Sequence, residues 1–282
     1  YTEDGENGLY LHDGSGTYGS QEAGDGSYRY AGANPNNYVC FGSDATSCPA
    51  DNLYRIIGVF DGQVKLIKYD YAGESTLGTA PVRIVIPNSS YYKGSLSNIP
   101  NYYWSGSSSN DSNTWSSSTL NTDILNGTYL NTLGSEWTSK IATTSWKVGG
   151  NTYSNITQNA TPKIAYTNEI ESPVENTTYS AKIGLMYVSE YGYAASPENW
   201  NTTLYNYDND TNRNNNWMYM GAYEWTISRS SDYGNDAFSV GRDYVNNVRV
   251  YISRGVRSSF SLESSVVLSG GSGTSDDPFR VN

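Results

Sequence analysis

The chain has 282 residues and a formal net charge of −11 at pH 7, from 28 Asp and Glu against 17 Lys and Arg. This length fits one or two domains, and the acidic balance argues against nucleic acid or anionic membranes as partners, because both attract basic surfaces. Aliphatic residues are scarce, but 27 Tyr and 7 Trp supply core volume, so we expect a folded chain with an aromatic core.

The residue inventory argues against several kinds of catalytic or metal site. With His12 as the single histidine, neither a Ser-His-Asp triad nor a multi-histidine zinc site is expected. Two cysteines are too few for a four-cysteine zinc site, and no run approaches the roughly 18 apolar residues of a membrane span. We therefore predict no metal, no cofactor and no direct membrane insertion.

The composition also bears on where the protein works. Asn and Tyr, with 30 and 27 copies, together make up a fifth of the chain, while Lys is scarce. Such a composition, with the acidic charge, is typical of an exported protein. We therefore expect an extracellular or cell-surface location, with anchoring by a segment that preceded Tyr1 and is missing from this chain.

The N-terminal segment, residues 1–51, is rich in Gly, Asp, Ser and Tyr. Most of these residues form turns, so loops and short strands are predicted here. Seven residues separate Cys40 from Cys48, a loop that a disulfide can close. In an exported chain a structural disulfide is the favoured interpretation, with two free thiols or part of a metal site as the alternatives.

The next segment contains the clearest strand pattern. Two runs rich in β-branched and aromatic residues, 53–60 and 64–69, flank Asp61-Gly62, and this pattern predicts a β-hairpin. Residues 82–86 predict a third strand. Low-complexity sequence follows over residues 88–115, with no element predicted.

A helix is predicted from Ser116 to Trp137, because apolar residues recur at near-helical spacing after a run of capping serines. Gly127 and Gly134 are expected to break it into pieces. Residues 146–180 are predicted to be irregular, and the apolar run 183–188 predicts a buried strand.

The last third of the chain predicts further strands. Residues 223–227 and 260–262 are strand-like, and 245–253 alternates in the manner of a strand with one wet face. The closing residues 269–282 are interpreted as a Gly-rich tether or a final strand. In the alternating run, one face is predicted to carry Val248, Val250 and Ile252, and the other Arg249, Tyr251 and Ser253.

Several short motifs follow one another in a recognisable order. They are a hairpin at Tyr54–Tyr69, a Trp-Ser-Ser-Ser-Thr-Leu helix start at Trp115, an apolar run at Leu185–Val188, a Glu-Trp-Thr-Ile-Ser-Arg-Ser run from Glu224, and Gly-Val-Arg from Gly255. This order resembles a domain family common in surface proteins of anaerobic Gram-positive bacteria. That family is similar to the formylglycine-generating-enzyme branch of the C-type lectin fold.

The resemblance implies an α+β, C-type-lectin-like domain over residues 52–268, between the N-terminal segment 1–51 and the tail 269–282. The expected architecture is short antiparallel strands with one or two helices and long loops. Ser258 stands where the family pattern has Pro, and the Arg-Gly-Gly-Ser-Trp segment is absent. The enzyme's copper-binding cysteine pair also has no counterpart, so formylglycine chemistry is not expected.

The same branch of the fold includes variable proteins of diversity-generating retroelements, in which mutated adenines turn Asn codons into scattered residue types. Residues 228–254 interleave Asn, Asp, Tyr, Ser and Arg with an apolar framework, which fits such a region. An invariant surface domain of the same fold is the alternative. Tyr, Ser, Asn and Arg are also the residues of antibody-type binding surfaces, although a solvated strand face has a similar composition.

The first hypothesis is therefore a non-catalytic receptor or adhesin whose ligand is a protein or glycan on another cell, a phage or a host surface. A pilus or surface-fibre subunit is the second hypothesis. The candidate ligand-binding residues are Arg229, Ser231, Asp232, Tyr233, Asn235, Asp236, Arg242, Asp243, Tyr244, Asn246, Asn247, Arg249, Tyr251, Ser253 and Arg254.

A calcium loop is weighed at Asp208, Asp210 and Asn212, which place oxygen ligands at alternate positions. Arg213 stands where such loops have Gly, and Tyr219 where they have Glu. Because Arg213 would also repel the ion, an Asn/Asp turn is the favoured interpretation.

A glycan-active enzyme is the third hypothesis, because glycoside hydrolysis needs two carboxyl groups that flank the substrate. No spacing in the sequence marks such a pair. Glu224 is expected to take a framework hydrogen bond instead. The candidate carboxylates are Glu169, Glu171, Glu190 and Glu224.

Overall fold

The structure is a computed structural model that describes residues 4–85, 91–207, 213–241 and 245–282. Its class is α+β, as predicted, since short strands in mainly antiparallel sheets alternate with short helices. The strands are β1 (Leu9–His12), β2 (Ser27–Tyr30), β3 (Tyr38–Cys40), β4 (Leu53–Phe60), β5 (Gln63–Lys68), β6 (Val82–Val85), β7 (Asn98–Tyr103), β8 (Thr144–Lys147), β9 (Thr178–Ala181), β10 (Glu224–Arg229), β11 (Asp236–Val240), β12 (Asn246–Arg249), β13 (Ser253–Arg254), β14 (Ser259–Ser261), β15 (Leu268–Ser269) and β16 (Phe279–Val281).

The helices are all short. The α-helices are α1 (Glu74–Leu77), α2 (Leu130–Thr132), α3 (Gly134–Ser139), α4 (Pro162–Tyr166) and α5 (Val188–Tyr193). Wider, π-type turns occur at Leu120–Tyr129, Asn155–Asn159 and Thr167–Glu171. Single 3-10 turns occur at Glu6–Gly8, Ala50–Asn52, Trp115–Ser117, Pro197–Asn199 and Leu204–Asn206. No helix within the described ranges has the length and apolar character needed to cross a bilayer.

The largest sheet has eight strands and unites distant parts of the chain. Its main path runs β1-β2-β4-β3-β16-β15, and β5 and β14 continue it from β4. β16 pairs with β3 in parallel, so the closing residues form a strand rather than a tether. The sheet therefore draws strands from residues 1–51, 52–268 and 269–282 alike, and the predicted boundaries are not boundaries of this sheet.

The hairpin of β4 and β5 is confirmed. Phe60 pairs with Gln63 across Asp61-Gly62, whose φ angles are 50° and 77°. Two positive φ angles define the turn type whose twist matches that of the paired strands. The predicted disulfide is also present, and it joins Cys40 to Cys48 with their Cα atoms 5.7 Å apart.

Three smaller sheets complete the β structure. β10, β11 and β12 form an antiparallel sheet in that order, and β13, β7 and β6 form a second. β8 and β9 form a two-stranded antiparallel sheet of their own. The predictions for residues 88–115 and 146–180 were therefore wrong, since β7, β9 and α4 lie in segments where no regular structure was predicted. β7 pairs with β13 and β9 with β8 across long stretches of chain, so no short turn marks these two strands.

The predicted strand at 183–188 is also wrong, although the run is buried. Gly184 makes an isolated bridge to Ser259, and α5 begins at Val188. The side chain of Glu190 accepts a hydrogen bond from the Tyr187 backbone N–H at 2.9 Å and so caps that helix. A short apolar run without periodicity does not distinguish a strand from another buried segment.

The alternating run 245–253 is two short strands with a turn between them. The Val250 N–H donates to the Asn235 carbonyl at 3.0 Å, and the Ile252 N–H donates to the Arg249 carbonyl at 2.9 Å. β12 therefore ends at Arg249, and β13 pairs with β7. As a result Ile252 is exposed, while Val250 is fully buried.

The predicted helix at 116–137 is correct in part. Helical structure begins at Leu120 and continues through Gly127, which does not break it. Gly134, with φ 74°, does separate α2 from α3. A glycine inside a helix costs only about 1 kcal/mol, so its presence alone does not predict a break.

The core is aromatic, as the composition predicts. Rings at its centre hydrogen-bond to the backbone, for example Trp104 Nε1 to the Thr226 carbonyl at 2.9 Å and Trp225 Nε1 to the Tyr102 carbonyl at 2.8 Å. Such pairing lets a polar ring be buried without an unsatisfied N–H. The fully buried Trp and Tyr residues include Trp104, Trp115, Trp146, Trp200, Trp225, Tyr54, Tyr71, Tyr102 and Tyr129.

Candidate recognition surface

The β10-β11-β12 sheet gives the 228–254 region a rigid base. The inner side chains of this region have no solvent exposure, and the Thr226 hydroxyl donates to the Phe238 carbonyl at 2.8 Å. Closely packed interiors tolerate little change in side-chain volume, so these buried residues hold the backbone of the region in place. The fully buried residues are Ala237, Phe238, Val240, Val245 and Val250.

A buried ion pair anchors the start of β10. Arg257 donates through Nε and Nη2 to the two carboxylate oxygens of Glu224, each at 2.6 Å, and Nη2 also donates to the Met218 carbonyl at 2.8 Å. Burial raises the pKa of Glu224, while the adjacent guanidinium favours the ionised carboxylate. Glu224 is thus a framework residue, as predicted.

The loop between β10 and β11, residues 230–235, is held by Asn113. Its Nδ2 donates to the carbonyls of Ser230, Tyr233 and Asp236 at 2.7, 2.9 and 2.7 Å. One buried amide therefore fixes both ends and the middle of the loop. Sequence reasoning missed Asn113, which lies in the low-complexity segment.

The tip of this loop is exposed and aromatic. Tyr233 is 47% exposed, and its ring meets that of Tyr153 edge to face at 6.1 Å. Asp232 accepts from the Tyr153 N–H at 3.0 Å and from the Ser230 hydroxyl at 2.7 Å. These contacts hold a large amphipathic side chain in the solvent.

Beside the loop, β12 carries a polar cluster. The Arg249 side chain is 48% exposed, and its guanidinium lies 3.3 Å from the carboxylate of Asp236 and hydrogen-bonds Asn235. Asn247 donates to the same carboxylate at 2.7 Å. Burial raises the pKa of Asp236, and Arg249 opposes that rise. The carboxylate of Asp236 thus orients its neighbours from within the fold.

The pairing of β13 with β7 adds a second edge to this surface. Ser253 and Arg254 lie opposite Tyr103 and Tyr102. The Arg254 guanidinium stacks over the ring of Tyr223 at 4.8 Å. Partial burial lowers the pKa of Arg254. Tyr103 and Tyr153 join the candidate set, although no local sequence pattern marked them.

The candidate residues differ in how far they reach the solvent. Asp236 is buried, and Arg229 is largely covered, because it donates to the Val148 carbonyl at 3.2 Å and pairs with Glu175. Three candidates are exposed, namely Asp232, Tyr233 and Arg249. Others are partly exposed, namely Ser231, Asn235, Asn246, Asn247, Tyr251, Ser253 and Arg254. Outside the described residues lie Arg242, Asp243 and Tyr244.

The structure also bears on the possible metal site and on the candidate catalytic carboxylates. The calcium loop at 208–212 lies outside the described residues. Over the described ranges, no three His, Cys, Asp or Glu side chains are grouped so as to hold a metal ion. Among the carboxylates, Glu190 pairs with Lys65 at 2.5 Å, while Glu171 is exposed and accepts from Thr167.

Comparisons of the chain with protein-family models, with curated proteins and with solved structures found no match. The candidate site is therefore defined by its own chemistry. It consists of loop 230–235, β12 and the turn into β13, and this set is called the recognition surface below. Its outer side chains are carboxylate, aromatic, amide, hydroxyl and guanidinium groups, and it lies against the fully buried strand β11.

Proposed function

We propose that this chain is the ligand-binding module of an exported or cell-surface protein, and that the recognition surface is where its ligand binds. One observation carries the proposal. The exposed side chains of Tyr233 and Arg249 lie beside strand β11, whose residues are all buried. Such a base holds contact groups in place before binding, which lowers the entropy cost of association.

The chemistry of the surface suits a protein or a glycan. Tyr offers a large amphipathic contact with few rotatable bonds, and Asn and Ser offer adaptable hydrogen bonds. Arg249 adds a planar guanidinium that can donate two parallel hydrogen bonds to a carboxylate. We propose that this ligand is a protein or glycan on another cell, a phage or a host surface.

We also assign the chain to the C-type-lectin-like architecture as part of this proposal. Two motifs carry that resemblance, and they meet in space. Glu224 of the Glu-Trp-Thr run forms the bidentate ion pair with Arg257 of the Gly-Val-Arg run. Glu224 also bridges Gly255 in a parallel register. Two motifs some thirty residues apart thus form one structural unit. This contact supports the proposal that the chain has the C-type-lectin-like architecture.

A binding panel tests the function. Wild-type protein and two double variants would be titrated against immobilised glycans and cell-surface proteins. Tyr233→Ala/Arg249→Ala removes the surface anchors, while Tyr205→Ala/Arg83→Ala removes a Tyr that is 49% exposed and an Arg whose side chain is 61% exposed elsewhere.

We expect the wild type and the control to bind the same probe, and the surface variant to bind it at least about tenfold more weakly, since anchor residues contribute more than about 1 kcal/mol each. Both variants should remain folded with a single cooperative unfolding transition, and the surface variant should lose more stability than the control because Asp236 loses its Arg249 partner. Equal binding by both variants, or no probe bound by the wild type, would contradict the proposal.

A further inference from the structure

A lysine and a glutamate from distant parts of the chain are in contact inside the fold. Lys65 on β5 and Glu190 on α5 are 125 residues apart, and Lys65 Nζ lies 2.5 Å from Glu190 Oε1. Only 7% of the Lys65 side chain and 5% of the Glu190 side chain are exposed. Lys65 pairs with Gly58 of β4 and with Ser261 of β14, so strands flank it on both sides. The fold therefore keeps an amine and a carboxyl group side by side.

Aromatic rings replace water around this pair. The ring centroids of Trp146 and Tyr187 each lie 4.8 Å from Lys65 Nζ, and that of Phe60 lies 6.0 Å away. Burial lowers the pKa of Lys65 despite the attraction of Glu190. A buried ion loses much of its hydration, whereas a buried amide needs only its hydrogen bonds. Burial therefore shifts the balance between an ammonium–carboxylate pair and an amide towards the amide.

The two carboxyl oxygens of Glu190 have different partners. Oε1 lies against Lys65 Nζ, and Oε2 accepts a hydrogen bond from the Tyr187 backbone N–H at 2.9 Å. When an amine adds to a carboxyl carbon, negative charge develops on the oxygen that remains as the carbonyl, and an N–H donor stabilises that charge. The Tyr187 N–H serves Oε2 in this way, so Oε1 is the oxygen that would leave.

A second carboxyl group lies beside the pair. Glu169 is buried and accepts a hydrogen bond at 3.0 Å from the N–H of Ser189, the residue that precedes Glu190. The charge of Glu169 acts on Lys65, and the charge of Glu190 acts on Glu169, so the three groups lie within electrostatic reach of one another. Burial raises the pKa of Glu169 to about 7. A carboxyl group that titrates near neutral pH is suited to carry a proton between reacting atoms.

We propose that Lys65 and Glu190 condense to an intramolecular amide, and that Glu169 carries a proton in this step. The product ties β5, in the eight-stranded sheet, to α5. It shares no residue with the recognition surface, so this modification is independent of ligand binding.

The reaction balances without any other reactant. The Lys65 ammonium gives a proton to Glu190 Oε1 across their 2.5 Å hydrogen bond, which leaves a neutral amine and a carboxylic acid. Nζ then forms a bond to the carboxyl carbon. Glu169 takes one proton from Nζ and delivers it to Oε1, the bond between carbon and Oε1 breaks, and one water leaves. The cavity of about 330 Å³ that Lys65 and Glu190 both line can receive this water.

The other lysine of β5 lacks this arrangement. Lys68 Nζ donates to the Asp51 backbone carbonyl at 2.7 Å, while the Asp51 carboxylate is exposed and lies 4.0 Å away. An exposed carboxylate keeps its hydration and its charge, so we expect no amide there. Burial of both partners in direct contact is what distinguishes Lys65.

Intact-mass spectrometry of the reduced, denatured chain tests the proposal, because loss of one water lowers the mass by about 18 Da. Wild type, Lys65→Arg and Glu169→Gln would be made by cell-free synthesis and sampled from minutes to a day. Digested samples would be searched for a branched peptide that joins Lys65 to Glu190. Lys147→Arg is the matched control, because Lys147 is a partly exposed lysine that lines the same cavity.

We expect the wild type and Lys147→Arg to lose about 18 Da and to give the branched peptide. Lys65→Arg should keep its full mass, because its guanidinium stays protonated and cannot act as the nucleophile. Glu169→Gln should react at least about a hundredfold more slowly, which is the usual contribution of a proton-transfer group. Circular dichroism establishes that each variant is folded, and if Lys65→Arg is not, the branched peptide of the wild type decides.

The proposal fails if the wild type keeps its full mass after a day. It also fails if the water is lost equally from Lys65→Arg, or if the branched peptide joins other residues. Equal rates in the wild type and Glu169→Gln would overturn the assignment of Glu169 as the proton carrier.

Discussion

Glu169 is a carboxyl group enclosed by three elements of the fold. The Ser189 N–H, at the start of α5, donates to it at 3.0 Å, and the hydroxyl of Ser228 on β10 also donates to it. Burial, with a smaller contribution from nearby Glu190, nevertheless raises its pKa to about 7 against the effect of these hydrogen bonds. The sequence suggested Glu169 as half of a catalytic pair, but its contacts in the structure join helix to sheet.

This environment predicts a pH dependence of stability. The folded pKa lies above the unfolded value of 4.5, so the stabilisation is complete below about pH 4.5 and is lost as pH rises through about 7. The loss amounts to roughly 3 kcal/mol, because each pKa unit corresponds to about 1.4 kcal/mol. Glu169→Gln keeps a neutral group in place and should remove this loss.

Urea unfolding at pH 5 and at pH 8 measures the effect. The wild type should lose more unfolding free energy between these pH values than Glu169→Gln does. Glu171→Gln changes an exposed carboxyl two residues away and should behave as the wild type. An equal loss in wild type and Glu169→Gln would show that Glu169 does not ionise in this range.

At the scale of elements, the sequence correctly predicts strands and turns that depend only on neighbouring residues. The Asp61-Gly62 turn has two positive φ angles, which Asp-Gly pairs favour. These two residues therefore predict the β4–β5 hairpin from local sequence alone. The strand at Glu224–Arg229 is likewise found from its β-branched and aromatic residues.

Elements that depend on distant partners are missed. β7 lies in low-complexity sequence, and it pairs with β13 from the last third of the chain as well as with the preceding strand β6. The recognition surface has the same dependence, since Asn113 and Tyr153 reach loop 230–235 from segments without a pattern. Composition therefore proposed a segment of the chain, while the hydrogen bonds from Asn113 and Tyr153 that hold loop 230–235 could not be read from it.

Retroelement diversification, if it acts on this gene, would change the exposed residues of the recognition surface and not its buried framework. If sibling copies of the gene are sequenced, substitutions should concentrate at exposed positions of the recognition surface, such as Asp232, Tyr233 and Arg249, and spare Phe238 and Val250. Exposed positions outside it, namely Thr178, Tyr205 and Val267, supply the baseline for a solvated surface. Equal variation at both exposed sets would contradict diversification and leave an invariant surface.

At the scale of the whole molecule, the eight-stranded sheet ties the beginning of the chain to its end. Phe279 of β16 lies opposite Val39 of β3, next to the Cys40–Cys48 disulfide. The α+β class followed from the resemblance, but the pairing of β3 with β16 did not follow from any local pattern, because no turn connects two remote parallel strands. The sheet thus joins residues from both ends of the chain within one layer.

Amide hydrogen exchange tests the location of ligand binding most directly. Exchange would be measured with and without the macromolecular probe that binds most tightly in the panel. We expect slower exchange in residues 230–236 and 246–254, with no change in segments 144–147 and 187–190, which lie outside the recognition surface. Protection confined to any other part of the chain would contradict the assignment of the recognition surface.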